Sequence, residues 1–130
     1  AVVRFGEELR EEAPYLRKQA TQLASKMRYI AAQYTAMIEE DRWALNARQA
    51  NALAARLAGS IEGFPGVELA YPVEANGVFP TMPRKAIEAL QEEWSFYLWE
   101  AESSVVRLML SFDSTEEDVD QFVEAIEGQL

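Results

Sequence analysis

The chain has 130 residues, 49% hydrophobic and 26% charged, enough apolar material for one folded core and unlike a disordered tract. Lys and Arg number 12 against 22 Asp and Glu, a formal net charge of -10, and a field of that sign repels nucleic acid and anionic membranes. Cys and His are both absent, which removes disulfides, thiolate and imidazole metal sites, Cys nucleophiles and Ser-His-Asp triads. Chemistry is left to carboxylates, Lys, Arg, Tyr, Ser and Thr.

Residues 1–6, AVVRFG, read as a short strand of β-branched and aromatic residues closed by Gly6. The run carries no charged leader or small-residue cleavage site, and no apolar stretch approaches the roughly 18 residues of a membrane span, so the expected location is cytoplasmic. After a charged stretch, Pro14 suits the first turn of a helix. From Tyr15 to Met37 the pattern is helical, with Leu23, Met27, Ile30, Tyr34, Met37 and Ile38 marking one apolar stripe at three- and four-residue steps. Left uncovered, that stripe exceeds what soluble monomers expose. Self-association, as a dimer through these helices, is therefore expected. Light scattering over a concentration series should report a mass above the monomer, and a monomer throughout contradicts the expectation.

A second helix is predicted from Asp41, as N-cap, to Ile61, with Leu45, Leu53, Leu57 and Ile61 on one face and alanines between them. Gly59 and Gly63 mark its end. Two β-like runs, VELAYPV and GVFPTM, then flank Asn76-Gly77, a hairpin signal, while Pro72 and Pro80 inside them point to edges or bulges. A helix with Pro83 in its first turn follows, turning Ile87, Leu90 and Trp94 inward. Strands SFYLWEA and SSVVRLMLSF come next, then a helix opened by a capping box of Ser114 and Glu117, with Val119, Phe122, Val123, Ile126 and Leu130 facing the core. The fold class is α+β: long N-terminal helices, then a small antiparallel sheet covered on one face by helices. Residues 1–40 form a strand and a connecting helix, and residues 41–130 a compact α+β domain.

Alternation along SSVVRLMLSFD puts Val106, Leu108, Leu110 and Phe112 on a core face, and Val105, Arg107, Met109 and Ser111 on the other. A guanidinium in mid-strand, opposite the core, needs an anionic or carbonyl partner. That partner is either one of the chain's own carboxylates or the carboxylate of a ligand, held through two parallel hydrogen bonds. Trp43, Trp94 and Trp99 read as core or interface aromatics.

The segments KQATQLASKMRYIAAQY, EDRWALNARQANALAARL, YPVEANGVF and VVRLMLSFDSTEEDVD, in this order, resemble the C-terminal part of a threonine aldolase of the low-specificity and phenylserine branch. That family belongs to the β-eliminating lyases among fold-type I pyridoxal-phosphate enzymes, so the resemblance implies the small domain of the aspartate-aminotransferase fold. TQLAS stands where other members carry a Gly-rich segment after the Arg-Lys pair. The activity implied is cleavage of β-hydroxy-α-amino acids to glycine and an aldehyde, with pyridoxal phosphate as electron sink. Arg107 corresponds to the Arg that binds the substrate's α-carboxylate, and Lys18, in the Arg-Lys pair, lies near the cofactor or a subunit boundary. The resemblance further implies that the Schiff-base Lys, the phosphate-binding segment and the ring-stacking residue belong to a large domain preceding this sequence. The chain alone is then inactive and binds no cofactor, its partners being the amino-acid substrate, that large domain and further copies of itself. Two other readings fit the residues: a free-standing acidic α+β interaction or regulatory module, and a related pyridoxal-phosphate lyase or transaminase.

Overall fold

The computed structural model describes residues 11–130, so the strand expected at residues 1–6 lies outside the described residues. The chain divides into two compact units, Ala1–Asp41 and Arg42–Leu130. In the first, the continuous helix expected from Tyr15 to Met37 is instead two, α1 (Ala13–Gln19) and α2 (Met27–Ile38). The break is a backbone event. Thr21 and Lys26 take φ of 55° and 58°, left-handed conformations through which a right-handed helix does not pass. Leu23 falls in this break, and the rest of the expected stripe is exposed, no residue of α1 or α2 being buried.

The second unit opens with α3 (Arg42–Ile61). Asp41 does not take the N-cap conformation expected of it, because its φ of 53° is left-handed where a cap is extended. Five short strands and two helices follow: β1 (Glu68–Leu69), β2 (Gly77–Val78), β3 (Pro80–Thr81), α4 (Arg84–Leu90), β4 (Tyr97–Glu100), β5 (Val105–Met109) and α5 (Glu116–Glu127). The sheet is antiparallel and open, with β5 between neighbours. Along one side β2 and β3 share a register, Gly77 opposite Met109, Val78 opposite Leu108 and Thr81 opposite Val105. Along the other side β4 sets Tyr97 opposite Arg107 and Leu98 opposite Val106. Beyond β3, β1 pairs Leu69 with Pro80.

The core lies on one face of this sheet, as the α+β reading requires. Leu53, Ala54, Leu57 and Ile61 of α3, Ile87 and Leu90 of α4, and Val119, Phe122 and Ile126 of α5 cluster with Val78, Val106 and Leu108. Alanine at position 54, fully buried, lets α3 approach closely. Leu45 is exposed, about two turns before Leu53, the first α3 residue of the cluster. Phe112 is exposed as well, against expectation. β5 ends at Met109, and Ser111 and Ser114 then close a turn in which the Ser111 N–H donates to Ser114 Oγ at 3.0 Å. Leu130 is likewise exposed, beyond the end of α5.

Asn76-Gly77 does not make a two-residue hairpin. β1 and β3 do pair, and the Ala70 N–H donates to the Phe79 carbonyl at 2.9 Å, but Asn76 reaches across to β5. Its side-chain amide donates to the Leu110 carbonyl at 2.7 Å, and the Leu110 N–H returns a bond to Asn76 O at 2.9 Å. The turn signal lost to tertiary pairing.

The capping box of α5 is shifted one residue from Ser114 and Glu117 to Thr115 and Asp118. Thr115 Oγ1 accepts from the Asp118 N–H at 3.1 Å, while Asp118 Oδ2 accepts from the Thr115 N–H at 2.8 Å. Thr115→Ala is expected to cost about 1 kcal/mol, which lowers the unfolding midpoint by about 4–8 °C. The hydrogen bonds from Thr115 hold the Asp118 carboxyl below its ordinary pKa. A depressed carboxylate stabilises fully above the normal carboxylate range and loses that contribution as pH falls through the lowered value. An acid titration followed by circular dichroism is therefore expected to destabilise the wild type more steeply at low pH than Asp118→Asn, which has no charge to lose. Parallel acid limbs would contradict this.

Candidate functional site

β5 is hydrogen-bonded on both sides, so the backbone of Arg107 is fixed by β4 and by the β2–β3 run. Continuing the β2–β3 register places Phe79 opposite Arg107 on one side, while Tyr97 stands opposite it on the other. Alternation sends these three side chains away from the helices. Between Leu98 and Glu100 the β4 ladder carries a bulge, with Trp99 as its extra residue.

The resulting open face is aromatic around a single cation. Arg107 Cζ lies 5.5 Å from the Tyr97 ring centroid and 5.5 Å from that of Trp99. Trp99 stands edge-on to Phe79 at 5.7 Å, and Phe79 stands edge-on to Tyr71 at 5.6 Å, so a row of rings extends away from the guanidinium. Met109 packs nearby because Gly77 has no side chain. A Cβ there would come within 3.2 Å of the Met109 sulfur and 3.1 Å of the Phe79 ring.

Arg107 is half-buried, and its Nε is buried with no hydrogen-bond partner. Among the described residues no carboxylate pairs with it. Glu100, at the end of β4, is committed elsewhere: it accepts from the Tyr71 hydroxyl at 2.6 Å and the Ser103 hydroxyl at 2.8 Å. Those bonds lower the Glu100 pKa and raise that of Tyr71. Of the two partners open to Arg107 in the sequence, an internal ion pair is thus not the one found. What the arrangement offers is a guanidinium flanked by rings, with a donor edge unused. Such an edge suits the planar, two-oxygen geometry of a carboxylate.

Lys18 lies in the last turn of α1, exposed, in the first unit, whereas Arg107 belongs to the second. Lys26 and Lys85 are exposed too, and no polar or charged residue is buried among the described residues. Nor do these residues include a group of three or more Asp, Glu, His or Cys placed to hold a metal ion. A cavity of the second unit, about 180 Å³, is lined by Leu57, Trp94, Phe96, Leu110, Val119 and Phe122 among others and does not include Arg107. Tyr97 and Trp99 were not singled out as site residues from sequence. The signal was present in their two-residue spacing on the strand next to Arg107, but the pairing of that strand with β5 and its register shift at Trp99 are not written in any residue type.

Comparison with known proteins bears out the resemblance to threonine aldolases. The chain is 43% identical over 117 residues to a low specificity L-threonine aldolase of Pseudomonas sp. strain NCIMB 10558, covering 89% of this chain and 34% of that protein. It is also 43% identical over 120 residues to the low specificity L-threonine aldolase of Pseudomonas aeruginosa PAO1, covering 92% and 34% respectively. The solved structure of a Leishmania major threonine aldolase superposes with a TM-score of 0.78 at 27% identity, over 89% of this chain and 34% of that one. The chain therefore spans about a third of the length of these relatives. No protein-family model matches it. No helix among the described residues is long and apolar enough to cross a membrane.

Proposed function

We propose that this chain is the substrate-carboxylate-binding part of a pyridoxal-phosphate-dependent aldolase, which cleaves threonine-like β-hydroxy-α-amino acids to glycine and an aldehyde. One observation supports the reading above the others: a strand-borne guanidinium, on the face away from the core, whose Nε is buried and unused. The match to low specificity L-threonine aldolases supplies the reaction class. In this role Arg107 holds the α-carboxylate through paired, charge-assisted hydrogen bonds, and so fixes which bond at the substrate α-carbon faces the reacting group.

The described residues do not fit the cofactor itself. A Schiff-base lysine needs a desolvated site that lowers its pKa, and Lys18, Lys26 and Lys85 are all exposed. In the proposal the cofactor and its lysine belong to the rest of the parent enzyme, no step is assigned to this chain through them, and the chain alone is inactive. Lys18 retains only the role of a cofactor- or boundary-proximal residue, and the chain self-associates through its exposed N-terminal helices.

Reconstitution tests the reading. Co-refolding this chain with the remainder of the parent enzyme and pyridoxal phosphate is expected to release glycine from threonine, and the chain alone to release none. A folded, cofactor-loaded mixture without glycine release overturns the assignment. Turnover by the chain alone overturns the division of labour.

A further inference from the structure

A guanidinium on a three-carbon stem samples many rotamers, and holding it in one costs side-chain entropy. On this sheet two rings restrain it. Tyr97 is directly opposite Arg107 in the ladder, and the bulge adds Trp99 to the same strand, so both ring centroids come to 5.5 Å from Cζ. That separation lies within the roughly 6 Å over which a ring face attracts a cation. Neither ring is spent on the core, since Tyr97 is 70% exposed and Trp99 52%. Neither competes for the guanidinium's N–H donors by hydrogen bonding. An acidic neighbour would hold Arg107 as firmly but would occupy the edge a ligand needs.

We infer that Tyr97 and Trp99 are positioning residues, which fix the Arg107 guanidinium by cation–π contact and leave its N–H donors without a protein partner, for a ligand carboxylate. The inference rests on the carboxylate-binding reading of Arg107 and extends it to the two rings. Their contribution is to orientation: with the rings removed, the charge remains but its donor edge is no longer aimed.

The test is a titration of the 130-residue chain with sodium acetate, against sodium chloride at matched ionic strength, following the Arg107 Nε–H resonance by ¹H–¹⁵N NMR. In the wild type, acetate is expected to shift that resonance saturably and chloride to leave it unmoved. The double variant Tyr97→Leu/Trp99→Leu is expected to move the unliganded resonance and weaken acetate binding by about fivefold or more at unchanged amide dispersion. Tyr97→Phe/Trp99→Phe, which keeps both rings, should stay within about twofold of wild type. If the double leucine variant loses its fold, Trp99→Leu alone, with a weakening of about threefold, carries the same comparison. Wild-type acetate binding that persists undiminished in the folded leucine variants overturns the positioning role and leaves the carboxylate reading standing. A wild-type resonance indifferent to acetate overturns both.

Discussion

Replacing Arg107 with alanine is expected to leave the thermal unfolding of this chain nearly unchanged while abolishing most of the parent enzyme's catalytic efficiency. The folding half follows from what Arg107 does not do. It forms no ion pair among the described residues, and truncation removes a buried Nε that has no partner, offset by loss of contact with two exposed rings. Effects of that kind fall within about 0.5 kcal/mol. The catalytic half follows from truncating one member of a charged, hydrogen-bonded pair, which costs about 2–5 kcal/mol. At about 1.4 kcal/mol per factor of ten, kcat/KM should fall by roughly 30- to several-thousand-fold. A carboxylate is gripped in ground state and transition state alike, so much of the loss should appear as a raised KM. Arg107→Lys should not rescue it, since an ammonium cannot present two parallel donors. Unchanged KM for the amino-acid substrate in Arg107→Ala would remove the carboxylate role.

Ile61→Ala should have the reverse signature, unfolding the second unit without touching its chemistry. Ile61 is 0% exposed at the end of α3, within the cluster formed with α4, α5 and the sheet. Deleting its side-chain carbons forfeits their transfer energy and leaves a cavity, for a loss of about 2–5 kcal/mol. Small domains have only about 5–15 kcal/mol in total. A large part of the folded margin would go, and the midpoint in thermal or urea denaturation should drop by about 8 °C or more, or its equivalent. Leu45→Ala makes the control. It lies on the same helix but is exposed, and its midpoint should barely move.

Helical periodicity was a sound guide wherever a helix lies against the sheet. Leu53, Leu57 and Ile61, and likewise Val119, Phe122 and Ile126, are buried at the spacing that predicted them. Two-residue alternation likewise put Val106 and Leu108 inside and Arg107 on the opposite face. The failures share a cause: each depended on where an element stops or on what distant chain segment claims it. Phe112 alternates correctly but lies beyond the end of β5, and Leu45 is about two turns too early on α3. Ser114 and Thr115 are both good caps, and sequence cannot choose between them when each has an acid three residues on. Asn76 is drawn to Leu110, a partner 34 residues away. For the site, the residue type and face of Arg107 were legible, whereas the bonding of Glu100 to Tyr71 and Ser103 was not.

The bulge in β4 has a bearing on how this strand tolerates change. Because Trp99 is the supernumerary residue, a chain shortened by that one position could still zip its flanking residues onto β5 without a gap. Backbone pairing and the placement of the indole are thus governed by separate features of the same four-residue segment. Loss of that position would keep the ladder but take the indole from the Phe79 ring and the Arg107 guanidinium, so it should register in ligand affinity as well as in the melting curve.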